Sequence, residues 1–520
     1  MPAALFATAA WLLERSEART CIGRRQAQPT DDRGERVNEA RRKIRPSVTY
    51  RDTRRAARRI LEARHGRVLR RVVLTALVLV GSIWAWTTLT AGLSPDQRAV
   101  AFIFLVAVGL WMTEAVPAFA VGLLIMGYLV YVLGSPLLVD EVRDSRIYLD
   151  TWSSPVIWLI LGGFFMAAGL ARTGLDRQVF GLALRLAGTR PDRVLLAIML
   201  VTAIASMFLS NTSTSAIMIG AVLPFVQRAG PNEPFSKALL LAIPLAASVG
   251  GMGTIIGSAP NAISAGVADR FGGGPNFIEW MVYGLPLALA LVFIGWRMLL
   301  RRYRPTVGDI SADFGLVDEP RDSTRRQRLV VAGITALTIL LWTTTPLHGL
   351  HVSVISLIPI VGLTMTQVLG AKDVRALPWD TLMLVAGGLS LGAAVVDTGL
   401  AEVFAEGLAL VTGAGSFALV LLTMALLTVL LSNFMSNTAT VSLMLPVAVA
   451  LVPGREVEMC LVLGLSASCA LLLPVSTPPN AVAYSTGLLE GRDLRLGGIV
   501  IGLLGPVLVT GWVLLVSAVL

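Results

Sequence analysis

The chain has 520 residues, 55% of them hydrophobic and 15% charged, with a mean hydropathy of +0.73. Soluble domains carry about a quarter charged residues, so this composition excludes an ordinary water-soluble enzyme. Several uncharged stretches exceed the ~20 residues that cross a hydrocarbon core and predict a polytopic helical membrane protein. The net charge of +10 is not spread evenly: residues 1–71 carry +11 and the remainder is close to neutral. Three cysteines (Cys21, Cys460, Cys469) and three histidines (His65, His348, His351) give neither a disulfide scaffold nor a zinc-type pair. None of the three lysines (Lys43, Lys237, Lys372) follows a glycine, so a phosphate-cradling loop of the ATP-hydrolysing kind is absent.

The basic tail leads directly into a hydrophobic span. It reads as a cytoplasmic anchor that sets topology and touches anionic lipid rather than nucleic acid. Residues 54–71 are suited to a basic helix on the membrane surface, and residues 1–50 fit a disordered segment. Apolar runs then predict eleven crossings: 72–91, 99–116, 117–134, 154–171, 238–268, 278–296, 329–346, 352–370, 381–396, 459–489 and 497–519. Five arginines in 172–193 and eight in 297–328 place those loops inside with the tail, and the arginines at 492 and 495 agree. The carboxyl terminus is then external.

Two further apolar regions do not read as simple spans. Residues 194–226 hold no charge over 33 positions, yet Ser210-Asn211-Thr212-Ser213-Thr214-Ser215 sits at their middle. Residues 407–454 repeat the theme around Ser432-Asn433-Phe434-Met435-Ser436-Asn437-Thr438. Irregular polar chain at membrane depth must be buried in protein or line a watery cavity. Consecutive polar residues favour a hairpin that turns near the midplane over one long helix with a polar stripe, which would repeat every three or four positions. The stretches 238–268 and 459–489 each carry a breaker, Gly257-Ser258-Ala259-Pro260-Asn261 and Ser476-Thr477-Pro478-Pro479-Asn480.

These features recur in step. Gly162-Gly163 and Thr173-Gly174-Leu175 reappear as Gly387-Gly388 and Thr398-Gly399-Leu400. Ser210-Asn211-Thr212 reappears as Ser436-Asn437-Thr438, and Asn261 as Asn480. The chain is an internal duplication. Its expected organisation is a basic cytoplasmic tail (1–71, partly disordered) and a first transmembrane helix (72–91). A first repeat (98–300) carries a re-entrant hairpin at 192–228. A cytoplasmic linker (301–328) leads to a second repeat (329–519) with a hairpin at 415–453. Each repeat holds five crossings; five is odd, so the halves lie upside down relative to each other. Inverted repeats with interrupted helices mark a secondary transporter with a site at the midplane.

Each hairpin tip starts a helix with Ser-Asn-Thr, suited to N-capping. Helix N-termini aimed into a cavity favour carboxylates or oxyanions, and two facing ends suit a dianion. Carbonyls freed ahead of each proline, with Ser and Asn oxygens, suit Na⁺. Ionisable groups are nearly absent from the spans, which favours Na⁺ coupling or anion exchange over a proton relay.

The twin Ser-Asn-Thr tips with the Ser-Thr-Pro-Pro-Asn break resemble the divalent anion:sodium symporter family, over about residues 98–519. The resemblance implies an all-α elevator-type fold, a homodimer, and import of dicarboxylates, citrate or sulfate. It implies one Na⁺ site at Ser206, Ser210, Asn211 and Gly257, and a second at Ser432, Met435, Asn437 and Ser476. It implies substrate contacts at Asn211, Thr212, Ser258, Asn437, Thr438, Thr477 and Pro478. Ala259 stands where the second half has Pro478, and Ser432 stands where the family leads one to expect threonine. The function expected is a Na⁺-coupled importer of a C4 dicarboxylate in the inner membrane, with no organic cofactor and no enzymatic activity. An exchanger or an oxyanion permease of the same fold is the alternative. A channel would need a continuous pore, and an intramembrane enzyme would need a catalytic group at depth; no HExxH, paired acids or activated cysteine is present.

Overall fold

Prolines and capping residues set where the helices begin. Pro95, Pro155, Pro191 and Pro234 occupy the first turns of their helices, where the missing N–H costs nothing. Ser94 with Gln97 and Asn276 with Glu279 form reciprocal capping boxes. The computed structural model describes residues 50–139, 142–178, 181, 188–229, 233–306, 323–404, 406 and 416–519. The tail over 1–49, the linker over 307–322 and the start of the second hairpin at 415 lie outside them. The chain divides into two units, 1–69 and 70–520. The described residues of the first, 50–69, are helical.

The described helices are α1 (Tyr50–Leu89), α2 (Pro95–Thr113), α3 (Ala118–Leu133), α4 (Pro155–Thr173), α5 (Pro191–Ser206), α6 (Asn211–Ala229), α7 (Pro234–Gly250), α8 (Ala259–Arg270) and α9 (Phe277–Arg302). They continue with α10 (Arg325–Thr343), α11 (Val352–Met365), α12 (Trp379–Asp397), α13 (Phe417–Ser432), α14 (Asn437–Ala450), α15 (Glu456–Ala467), α16 (Pro478–Tyr484) and α17 (Gly491–Ser517). Short helical turns at Arg146–Leu149, Thr345–His348 and Ala371–Arg375 fill the connections. The series α2–α9 is matched element for element by α10–α17.

Among the described residues, seven helices are long and apolar enough to cross a membrane, against the eleven crossings expected. The difference has local causes. Of the four expected spans not among the seven, α3 and α11 are apolar but short, 459–489 is two shorter helices around an unwound stretch, and α10 opens on Arg325, Arg326 and Arg328, which lower its hydropathy. The arms of the second hairpin, α13 and α14, have 16 and 14 residues. At 1.5 Å per residue they reach about 24 Å, less than the ~30 Å of a hydrocarbon core. Each hairpin turns in four residues, 207–210 and 433–436.

The halves are packed into each other. Helix α3 lies on α12, α4 on α11, and α8 on α15; α6 meets α16 while α14 meets α8. The α3–α12 contact rests on glycine. A Cβ on Gly387 would come within 2.3 Å of the Gly122 Cα, and one on Gly122 within 2.8 Å of the Met383 carbonyl oxygen. Backbone cannot yield to such a clash. Gly387→Val should destabilise the protein by about 3 kcal/mol, the upper range for overpacking, read as a lowered melting temperature in detergent. Gly127→Val, on the open face of α3, should leave the melting temperature unchanged. Equal stability of the two variants would contradict this packing.

A candidate binding site at two broken helices

The breaks in α7–α8 and α15–α16 lie upstream of the proline motifs. In the first, α7 ends at Gly250. The chain then runs through two single 3₁₀ turns, Gly251–Gly253 and Ile255–Gly257, before α8 starts at Ala259. In the second, α15 ends at Ala467 and α16 starts at Pro478. Pro260 and Pro478 therefore begin helices rather than kink them, because a proline in the first turn forfeits no hydrogen bond.

Unwinding strands backbone groups that must find other partners. Asparagine supplies them in both halves. The buried Asn261 side chain donates to the Gly251 and Thr254 carbonyls at 2.9 and 2.8 Å. Asn480 donates to the Leu471 and Leu473 carbonyls at 3.1 and 3.0 Å. The Trp280 indole covers the Met252 carbonyl at 3.0 Å. In the second half, Asn433 Oδ1 accepts from the Leu472 N–H (2.9 Å) and the Ser476 hydroxyl (2.8 Å), while its amide donates to the Val429 carbonyl at 2.8 Å. The hairpin tip is thus tied to the broken helix beside it. In the first half the tie is the Thr254 hydroxyl, which donates to the Met207 carbonyl and accepts from the Gly257 N–H at 3.1 Å.

Among the residues singled out from sequence, Ser206, Asn211 and Gly257 come together. The Ser206 hydroxyl makes a short contact with Asn211 Oδ1 and lies 2.8 Å from the Ala247 carbonyl, with its one proton shared between the two acceptors. A Cβ placed on Gly251 would lie 2.8 Å from Asn211 Oδ1 and 3.0 Å from the Gly257 carbonyl oxygen. One on Gly257 would meet the Gly251 carbonyl oxygen at 2.4 Å and that of Ser206 at 3.1 Å. Glycine at both positions lets these neutral oxygens converge. Ser210 does not join them: it is exposed, and its hydroxyl accepts from the Ser213 N–H at 3.2 Å.

The counterpart groups differ in one respect. Ser432 is fully buried, and Ser432 Oγ and Asn437 Oδ1 have no hydrogen-bond partner among the described residues. Ser476, 4% exposed, is spent on Asn433 and on the Leu473 N–H at 2.9 Å. Met435 is buried at the tip. Asn211, Thr212, Asn437, Thr438 and Ser258 are half-buried, Thr477 is buried, and Pro478 is exposed. Ser436 caps α14 through the Ala439 N–H at 3.2 Å, as Ser210 caps α6. Thr477 caps α16 through the Asn480 N–H at 3.3 Å. Helices α6 and α14 thus begin at the hairpin turns and α8 and α16 at the ends of the unwound stretches, with α6 packed on α16 and α14 on α8.

No titratable side chain belongs to these groups. Among the described residues, no group of three or more His, Cys, Asp or Glu could hold a metal. A cation held here would meet carbonyl, hydroxyl and amide oxygens, the hard donors that suit an alkali ion. Sequence reading missed Asn433, Thr254 and Gly251. The doubled Ser-Asn of Ser432-Asn433 and Ser436-Asn437 was the signal available for the first.

A family model described as "Citrate transporter" matches residues 108–459, about two thirds of the chain. The chain belongs to the citrate transporter family. This agrees with the resemblance to divalent anion:sodium symporters carried by the Ser-Asn-Thr tips. The chain is 29% identical over 478 residues to a sodium-dependent dicarboxylate transporter SdcS of Staphylococcus saprophyticus, covering 84% of this chain and 90% of the relative. It is 29% identical to a protein of the same name from Staphylococcus aureus (77% and 82% covered). An uncharacterized transporter of Haemophilus influenzae is 28% identical (79% and 90% covered). The crystal structure of the Alcanivorax borkumensis YdaH transporter aligns with a TM-score of 0.53 at 15% identity, over 76% of this chain and 98% of that one. That likeness is one of fold.

Proposed function

We propose that the protein is a secondary transporter that imports C4 dicarboxylates with Na⁺. The observation that carries this reading is the tie of each hairpin tip to the unwound helix of its own half, which sets neutral oxygens beside helix N-termini with no basic side chain among the named groups. Ser206, Asn211 and the carbonyls of Gly251 and Gly257 form the first cation group. Ser432, Asn437 and the Met435 carbonyl form the second, with Ser476 positioning it. The carboxylates of the substrate sit on the N-terminal ends of α6 and α14, at Asn211, Thr212, Asn437 and Thr438, with Ser258, Thr477 and Pro478 at the sides. Helix dipoles and free N–H groups favour such anions, and bound Na⁺ offsets their charge. Each net positive charge moved inward gains about 2.3 kcal/mol per 100 mV. The names of the SdcS relatives support both sodium dependence and the dicarboxylate class.

The protein works in the inner membrane as a homodimer, amino terminus cytoplasmic and carboxyl terminus external. Within each protomer a transport domain that carries the site moves as an elevator against a fixed scaffold. The transport chemistry is binding and translocation alone, with no catalytic group and no organic cofactor.

Purified protein in proteoliposomes should accumulate succinate against its gradient when Na⁺ is outside, and should fail to do so when Na⁺ is replaced by K⁺. Uptake that is indifferent to Na⁺ would remove the coupling. The description of the family favours citrate as the competing substrate. A ligand at 100 times its Kd stabilises the native state by about 2.7 kcal/mol, so melting temperatures with succinate, citrate or sulfate, each with Na⁺, separate the readings. A larger rise with citrate than with succinate would assign the tricarboxylate.

A further inference from the structure

Helix α9 has 26 residues and at 1.5 Å each is about 39 Å long, longer than the ~30 Å hydrocarbon core. Its last turns, at the end that the arginine count assigns to the cytoplasm, stand at headgroup level. There Arg297, Arg301 and Arg302 project beside α17 and line an open groove of about 570 Å³, whose other walls include Phe293, Leu496 and Val500. Phe293, Arg297 and Arg301 follow at intervals of four and share one face of the helix.

All three arginines are exposed and make no ion pair among the described residues. Two other cations at the same end are paired: Lys237 with Asp493 at 3.0 Å and Arg492 with Glu490 at 2.7 Å. The guanidinium groups lean on rings instead, Arg297 over Trp296 at 5.5 Å and Arg302 over Tyr303 at 5.1 Å, with Trp296 itself held by the Asp192 carbonyl at 2.9 Å. The corresponding end of α17, the matching helix of the second half, carries no basic residue. The arginines are therefore not a by-product of the duplication.

We propose that this groove binds one anionic phospholipid, with its phosphate on Arg297 and Arg301 and its acyl chains along Phe293, Leu496 and Val500. Arginine matches a phosphate with two parallel N–H donors. A phosphate carrying two hydrocarbon chains is the ligand that answers both an arginine rim and an apolar floor at this depth. The assignment does not depend on what the transporter carries.

Native mass spectrometry of the purified full-length protein with phosphatidylglycerol or phosphatidylcholine added in equal amounts tests it. Phosphatidylglycerol adducts should exceed phosphatidylcholine adducts at least fivefold. The combined variant Arg297→Gln, Arg301→Gln, Arg302→Gln should lower them at least tenfold, and so should Val500→Trp, which fills the groove without touching charge. Millimolar inorganic phosphate should not displace the lipid. The pair Arg492→Gln, Arg495→Gln, at the same end but outside the groove, should leave binding intact. Retention by the triple variant or by Val500→Trp, equal retention of phosphatidylcholine, displacement by phosphate, or an equal loss in the Arg492/Arg495 pair would each overturn the proposal.

Discussion

Alanine at Asn437 is expected to lower Na⁺-driven succinate uptake in proteoliposomes at least tenfold while leaving the melting temperature in Na⁺-free buffer unchanged or slightly raised. The two effects separate because Asn437 Oδ1 has no hydrogen-bond partner among the described residues. Removing an unsatisfied buried acceptor takes away a desolvation cost rather than a bond. If that oxygen instead holds a cation, its loss removes an ion–oxygen contact, and the rise in melting temperature that Na⁺ gives the parent protein should vanish with transport. Asn211→Ala should impair uptake to a similar degree but also cost about 1 kcal/mol of stability, since Asn211 accepts from Ser206. Normal uptake by both variants would end the site assignment. A large fall in stability for Asn437→Ala would show the side chain to be structural.

Asn433→Ala is expected to cost about 3 kcal/mol of stability, measured by thermal unfolding. The side chain is buried and serves three groups at once: the Leu472 N–H, the Ser476 hydroxyl and the Val429 carbonyl. Its removal leaves a backbone donor in the unwound stretch unsatisfied, and such a buried group costs 1–3 kcal/mol. Asn433→Met should do the same. Methionine is the residue that the first half has at the matching position, Met207, and there the tie is made by Thr254 instead. A change under about 0.5 kcal/mol in both variants would mean that the hydrogen bonds around Asn433 do not hold the tip to the break.

The hairpins were legible because a run of consecutive polar residues inside an apolar stretch cannot be a helix stripe. The helix starts at Asn211 and Asn437 confirm the reading of Ser-Asn-Thr as caps. The duplicated order of elements was legible from Gly162-Gly163 and Gly387-Gly388, whose packing partners require small residues: Gly162 faces Ser356 and Gly387 faces Gly122. The breaks were placed too late along the chain. Proline is the conspicuous signal, but it marks where the next helix starts. The actual unwinding depends on Gly251 and Gly253 in one half, and in both on an asparagine donating back across the gap, a contact that exists only once the chain is folded. Asn433 escaped notice for a different reason. A search for matched positions discards a residue whose partner in the other half is methionine, although the two halves reach the same end by different side chains.

That asymmetry has a kinetic corollary. In the first half, Asn211 Oδ1 already accepts from Ser206, so an ion arriving there competes with an internal bond for that oxygen. In the second, the oxygens of Ser432 and Asn437 are free to receive it at once. If these are the two ion sites, they fill in a fixed order, the second half leading, and the dependence of uptake rate on sodium concentration is sigmoidal rather than hyperbolic.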